Sequence, residues 1–342
     1  MGDLLTVPAA RREAISRLAA ALRPGMTVAL STHINADGDG CGSQTALARL
    51  LRQMDIKAVI VNPTPWPGLF RWLLGDDVED RTAKGAAALK DVDRLIVLDI
   101  SDLRRLGVLA DAVRAMPQDA LVIDHHLPGD EPPGATMLSD TAACATAELV
   151  FDFARQRGLE ITTPIAKSLY TALVTDTGGF RFGNTSPRCL AVAAELLSAG
   201  VDPEAMYARI YGSVPLGRIH LLRDALETLE VDLAAGMAWV RIQAGALERH
   251  GVSSEDLDGV VEHPRSIAGV RLAMLFRDLG HGKVKVSFRS LAGVNVNTLA
   301  RAFGGGGHAR AAGALVEGAL ADVEARVLGE ARHRLGNGGL DD

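Results

Sequence analysis

The sequence has 342 residues, a length that suggests two domains. Hydrophobic residues make up 48% and charged residues 23%, which excludes the disordered, collagen-like and low-complexity classes. The formal net charge of -6 argues against a surface that grips long nucleic acid along its whole length, but leaves room for a local basic patch. No run approaches the ~18 apolar residues of a membrane span, and the first residues lack the basic-then-apolar order of a secretory signal. The three cysteines, Cys41, Cys144 and Cys189, are odd in number and widely spaced, without a C-x-x-C. Neither a disulfide framework nor a thiolate zinc site is expected, and a reducing, cytoplasmic location is.

In chain order, residues 8–22 carry helical apolar spacing at Ala9, Ile15, Leu18 and Leu22, closed by Pro24-Gly25. Residues 26–32 form a short apolar run that reads as a buried strand. A glycine-rich loop is expected next, then a helix over 43–54. Strands are predicted at 57–61, 94–98 and 120–123, with a helical stretch between the last two. Helices are predicted at 142–157, 164–175 and 188–199. Short apolar strands alternating with helices predict an α/β fold with a parallel sheet. Residues 202–230 read as helical, punctuated by Pro203, Gly212 and Pro215, and as a connector. Strand patterns return at 238–242, 270–276 and 284–288, accompanied by helices at 254–262, 296–302 and 319–334. They predict a second, smaller α+β domain. The boundaries drawn are 1–201 for the first domain, 202–232 for a helical linker and 233–334 for the second. The tail 336–342 is expected to fray.

Three of the predicted strands end in chemistry. The first runs into His33-Ile-Asn-Ala-Asp37-Gly-Asp39, the strand at 94–98 into Asp99, and the strand at 120–123 into Asp124-His125-His126. Asp176 closes a predicted helix. Ligands of open parallel sheets bind beyond the carboxyl ends of the strands. Taken singly, Asp37-Gly38-Asp39-Gly40 is a surface turn and His125-His126 a packed and a solvated histidine. Taken together, four carboxylates (Asp37, Asp39, Asp99, Asp176) and two imidazoles (His33, His125) converge on one edge. Without cations those carboxylates would repel and take up protons. Two divalent ions bring +4 against their -4, so the constellation predicts a two-metal site.

The run His33-x-x-x-Asp37-x-Asp39-x-x-Gly42-Ser43, the lone Asp99, the triplet Asp124-His125-His126 and the late Asp176 resemble the motifs of the DHH phosphoesterases. The later Phe303-Gly-Gly-Gly-Gly-His308-x-x-Ala-Ala312-Gly313 resembles the glycine signature of their DHHA1 domain. The resemblance covers nearly the whole chain. The two-domain layout is most similar to the nanoRNase/pAp-phosphatase branch, since RecJ-type exonucleases carry further domains and family II pyrophosphatases lack the glycine signature. The resemblance implies that His33, Asp37 and Asp99 hold one metal and that Asp39, Asp99, His125 and Asp176 hold the second, with Asp99 bridging. It implies that Asp124 orients the site and that His126 donates to the substrate phosphate. Mixed His and carboxylate donors point to manganese rather than magnesium.

Between Arg265 and Arg310 lie eight basic residues (Arg265, Arg271, Arg277, Lys283, Lys285, Arg289, Arg301, Arg310) and one acidic residue, Asp278. Strand alternation alone would leave about half of them on a solvated face. The alternative is a local anion site, to which Gly304, Gly305, Gly306 and Gly307 add backbone N–H groups as a phosphate cradle. The resemblance implies that Arg289 and His308 touch substrate. The aromatic residues here are Phe276, Phe288 and Phe303, too few for a long stacking platform. The expected activity is hydrolysis of very short RNA, about two to five nucleotides, to 5'-mononucleotides, with pAp 3'-phosphatase as a companion activity. Hydrolysis of cyclic di-AMP or pApA and a non-catalytic nucleotide sensor are the alternatives, and pyrophosphatase is disfavoured. The expected partners are these nucleotides, without long nucleic acid or membrane, and a homodimer is left open.

Overall fold

A chain whose short apolar strands are separated by helices can bury both faces of each strand only by crossing over between parallel neighbours. The computed structural model describes residues 4–291, 293–307 and 309–340. In it, β1 (Thr27–Ser31), β2 (Lys57–Ile60), β3 (Glu79–Asp80), β4 (Arg94–Leu98), β5 (Leu121–Asp124) and β6 (Thr136–Ser139) form one parallel sheet. Its order is β3-β2-β1-β4-β5-β6, so the direction of winding reverses between β1 and β4. The helices of this unit are α1 (Ala9–Ala20), α2 (Gly38–Gln53), α3 (Ala110–Arg114), α4 (Thr146–Arg157), α5 (Thr163–Asp176), α6 (Pro187–Ser198) and α7 (Pro203–Ile210). Strand alternation sorts the core. Leu30, Ile96 and Leu98 pack with α1, α2, α4 and α5 on one face. Ala29, Leu95 and Val97 pack with α3 and the turns around Leu89 and Leu106 on the other.

The expected loop before the second helix is instead helical. Asp37 caps α2, its Oδ1 accepting from the backbone N–H groups of Asp39 and Gly40 at 3.0 Å each. The glycines that suggest a loop are required by packing. A Cβ on Gly42 would stand 2.4 Å from the Ser168 carbonyl oxygen, and one on Gly38 would strike Thr175 at 2.3 Å. They let α2 and α5 approach backbone to backbone.

The chain divides between Ser213 and Val214. In the second unit, α8 (Leu216–Glu227) leads to β7 (Glu230–Asp232), β8 (Met237–Ile242), α9 (Ala246–His250), α10 (Glu262–Arg265), β9 (Leu272–Asp278) and β10 (Lys283–Ser290). Then follow α11 (Val296–Ala302), β11 (Gly306–Gly307), β12 (Ala311–Glu317) and α12 (Leu320–Gly336). The sheet runs β11-β12-β10-β9-β8-β7 and is antiparallel except where β8 meets β9. The residues expected as one connector are shared out. The helix α7 packs on α5 in the first unit, and α8 packs on β8 and α9 in the second. The tail does not fray through Leu340. That side chain is 1% exposed in the second core, and its carbonyl accepts from the Asn295 N–H at 2.6 Å. Among the described residues no helix is long and apolar enough to cross a membrane, and all three cysteines are free.

Candidate metal centre

The carboxyl ends of β1, β4 and β5 meet where the sheet order reverses, the position at which such sheets bind ligands. His33 follows β1, Asp99 follows β4, and Asp124 and His125 end and follow β5. The first turn of α2 delivers Asp37 and Asp39, and the last residue of α5 is Asp176. Asp99 adopts φ 64, a left-handed conformation costly for a residue with a Cβ. Its N–H is held by the Ile123 carbonyl at 2.9 Å. The turn aims both carboxylate oxygens into the cluster.

The donors form overlapping groups. His33, Asp37 and Asp99 form one, and Asp39, His125 and Asp176 a second; within each, the donor atoms lie within 4.8 Å of one another. His33 Nε2 is 3.3 Å from Asp99 Oδ2 and 3.6 Å from Asp37 Oδ2. His125 Nε2 is 3.6 Å from Asp99 Oδ1 and 3.7 Å from both Asp39 Oδ2 and Asp176 Oδ2. The two oxygens of Asp99 thus face different histidines. A third group joins Asp99, His125 and His126.

Each imidazole is oriented through its other nitrogen. His33 Nδ1 lies 2.9 Å from the Ile34 carbonyl and His125 Nδ1 3.2 Å from the Ala143 carbonyl. A carbonyl only accepts, so both Nδ1 atoms carry a proton, and Nε2 is the atom each ring turns toward the cluster and would offer to a cation once unprotonated. Those Nε2 atoms are buried and lack a hydrogen-bond partner among the described residues. Such orphaned donors fit a cation that completes them. His126 Nδ1 is bound at 2.8 Å to Asp124 Oδ1, which is itself fully buried.

The electrostatics agree. Burial, then repulsion from Asp99 and Asp37, pushes Asp176 up to about 7. Asp39 is raised well above the usual carboxylate range by burial and by Asp99 and Asp176. Burial opposes the His33 cation, but Asp37 and Asp99 outweigh it and push the imidazole up to about 10. Burial likewise opposes the His126 cation, and Asp124 and Asp99 carry it up to about 8. The cluster holds protons where divalent cations would relieve it.

Supporting groups escaped the sequence reading. Asp39 accepts from Ser43 Oγ at 2.9 Å and from the Thr146 and Ala147 N–H groups at the start of α4. Asn184 Nδ2 donates to Asp176 Oδ2 at 3.2 Å and to the Cys144 carbonyl at 2.8 Å. The buried Arg11 guanidinium ties α1 to Asp140, Glu148 and Asp152, and Glu148 accepts from the Cys144 N–H. Of these groups only Ser43 stood in a motif read from the sequence, and Thr146 opens α4 four residues inside the helix predicted over 142–157.

The chain matches two family models. The DHH family, N-terminal domain, matches residues 27–175, and the DHHA1 domain matches residues 238–336. A Thermus thermophilus protein named bifunctional oligoribonuclease and PAP phosphatase NrnA is 33% identical over 316 residues, 91% of this chain and 90% of its own. The chain belongs to the DHH family. A Bacillus subtilis DHH relative of the same name is 29% identical and covers 87% of this chain and 94% of its own. The crystal structure of an exopolyphosphatase-related protein from Bacteroides fragilis superposes with a TM-score of 0.88 at 25% identity, covering 96% and 98% of the two chains.

In the DHHA1 unit, Arg277, Lys283, Lys285 and Arg289 share one face of β9 and β10, Lys285 standing opposite Arg277. Arg289 Nε lies 3.6 Å from Glu262 Oε1. Arg265 is taken up by Glu262, and Arg310 donates to the Leu291 and Val294 carbonyls. The glycine run is a turn and a short edge strand. Gly305 and Gly307 press on β12, where a Cβ would meet the Gly313 and Ala311 carbonyl oxygens at 2.1 and 2.5 Å. Gly304 has φ 74, and Gly306 is exposed. His308 lies outside the described residues.

Proposed function

We propose that this DHH-family chain is a two-metal phosphoesterase that hydrolyses very short RNA to 5'-mononucleotides and removes the 3'-phosphate of pAp. The observation that carries the reading is Asp99, whose two oxygens stand between the His33 and His125 donor sets. His33, Asp37 and Asp99 would hold one ion, and Asp39, Asp99, His125 and Asp176 the other. The mixture of imidazole and carboxylate favours manganese. When bound, two such ions would supply Lewis acidity and activate water as the nucleophile.

The chain's own residues do the rest. Asp124 fixes the His126 ring through Nδ1 and favours its cation, so that His126 would donate from Nε2 to a phosphate oxygen. Asp37 and His126, with side chains 59% and 23% exposed, mark the open side of the cluster. Ile34 and Leu127, which follow His33 and His126, are exposed apolar groups of a size to rest against one base. Arg289, the glycine run 304–307 and His308 are assigned to the remainder of the substrate. The relatives' names and the short basic face of β9 and β10 support short substrates, and the three free cysteines fit the cytoplasmic location proposed for the chain. A long strand gains affinity by releasing counterions in proportion to the phosphates neutralised, and one short face in a chain of net charge -6 offers few.

The test is a panel with manganese: pApA, 5-mer RNA, a 24-mer, pAp, cyclic di-AMP and pyrophosphate. Turnover of pApA and 5-mer about tenfold or more above the 24-mer is expected. Processive degradation of the 24-mer at the dinucleotide rate would refute length selection. Exclusive turnover of cyclic di-AMP or of pyrophosphate would replace the substrate assignment.

A further inference from the structure

Four positions beyond Asp99 the chain enters a tight turn over Leu103–Leu109. Leu103 and Leu106 are buried in the core behind the sheet, so the arginines between them, Arg104 and Arg105, point outward. They part company at once. Arg104 folds back onto Asp102 at 2.6 Å and Asp130 at 2.9 Å. Arg105 is half-buried, and no carboxylate pairs with its guanidinium among the described residues.

Its place is nevertheless fixed. The Arg105 carbonyl accepts from the Ile34 N–H at 3.0 Å, stitching the turn to the residue after His33. Gly107, at φ 50, lets the turn press against the Ile34 side chain, which a Cβ there would meet at 2.7 Å. The guanidinium is near enough for its charge to bear on both Asp37 and His126. These two groups are on the open side of the donor cluster. An arginine carries five N–H donors in a planar fork that matches two oxygens of a phosphate. Held half-buried beside an anionic cluster and spared by every described carboxylate, it has those donors to give.

We propose that Arg105 is a catalytic residue whose guanidinium binds the non-bridging oxygens of the scissile phosphate. The assignment rests on the phosphoesterase reading above. It is the scissile phosphate rather than a distal one because the turn is anchored to residue 34, next to a donor histidine, and not to the periphery. The guanidinium and His126 would then share the charge that grows on the phosphoryl oxygens as the bond to the leaving oxygen breaks.

The experiment compares full-length wild type, Arg105→Gln, Arg105→Lys and, as a control, Arg104→Gln. Turnover of pApA and of ApA is measured in manganese, with metal content and AMP binding followed by calorimetry. Arg105→Gln is expected to lower kcat about 100-fold on both dinucleotides, the scale of one lost transition-state donor. It should keep the wild-type metal content and weaken AMP binding by about tenfold, while Arg105→Lys recovers part of each loss. Arg104→Gln should stay within about threefold of wild type. A loss confined to pApA would overturn the assignment in favour of a terminal phosphate, and a fall in metal content would overturn it in favour of a role through the donors. If wild type turns over no dinucleotide, the phosphoesterase reading fails, and AMP binding decides Arg105 by itself. Equal affinity in Arg105→Gln and wild type then overturns it.

Discussion

The backbone N–H of Thr146 lies 2.6 Å from Asp39 Oδ2, so the first turn of α4 ends on a carboxylate carried by α2. The Ala147 N–H reaches the other oxygen at 3.1 Å, and Thr146 Oγ1 donates to Asp99 Oδ1 at 3.1 Å. Helix α4 therefore brings its free amides and the positive end of its dipole to the most crowded part of an acidic cluster.

Thr146→Val removes the hydroxyl and keeps the amide. It should weaken manganese binding by about tenfold, the scale seen when a group supporting a metal ligand is lost, with little change in thermal stability. Calorimetric titration of the metal-free protein measures this. An unchanged Kd would show that Asp99 needs no such support.

Asp99→Asn should abolish turnover and leave the fold intact. An amide cannot serve two cations as an anion, and the lost charge falls between both donor sets. Activity in manganese within about tenfold of wild type would remove Asp99 from the centre. Circular dichroism of the variant separates this from unfolding.

Metal uptake should release protons. In the metal-free protein His33 is pushed up to about 10, so it carries a proton at neutral pH. Asp176, at about 7, is partly protonated there. Both must lose their protons to become ligands, so affinity rises with pH from about 6 toward about 9. Calorimetry at pH near 7.5 in buffers of different ionisation enthalpy should count at least about one proton released. A buffer-independent heat would contradict the protonated His33.

Much of this centre was legible from the sequence because β-strand logic is local. A short apolar run of four or five residues ending in Asp or His announces both a buried strand and what it carries to the edge, as at Asp99 and Asp124. The segment at Gly38–Gly42 was not legible as helix. Three glycines in five residues argue for a loop, and only the closeness of α5, more than a hundred residues later, reverses that preference. Strands β3, β6, β7 and β11 were missed because two to four residues carry no period, and β12 because its alanines and Gly313 give only a weak one. Thr136–Ser139 is partly exposed, and Gly306–Gly307 has no side chains to show one. Leu340 was misjudged because terminal position outweighed a single apolar residue, whereas the second core has a place for it.

The glycine argument yields a pair of opposite signs. Replacing an interior helical glycine by alanine gains about 1 kcal/mol by propensity alone. In α12, Gly329 has open space where a Cβ would go, so Gly329→Ala should raise the melting temperature. In α2, the Cβ of Gly42→Ala would lie 2.4 Å from backbone oxygen of Ser168 and 2.9 Å from the Ala172 Cβ. Overpacking of that kind costs about 1–3 kcal/mol and wins over propensity. Thermal melts of both variants check it, and a stabilised Gly42→Ala would mean that α2 and α5 can part freely.

Asp37 divides its labour between two oxygens, Oδ1 fastening the start of α2 and Oδ2 turned toward His33. A chain shortened at this position to alanine therefore loses a helix cap and an ion-binding group in one stroke. Inactivity of such a variant is ambiguous between a frayed first turn and an empty centre. Asparagine separates the two, because its carbonyl oxygen can still cap while its amide nitrogen cannot take up a cation. The shared side chain also means that Asp39, two residues on, is aimed by the same fastening. The two donor sets are thus mechanically joined through a single turn of helix before any ion arrives.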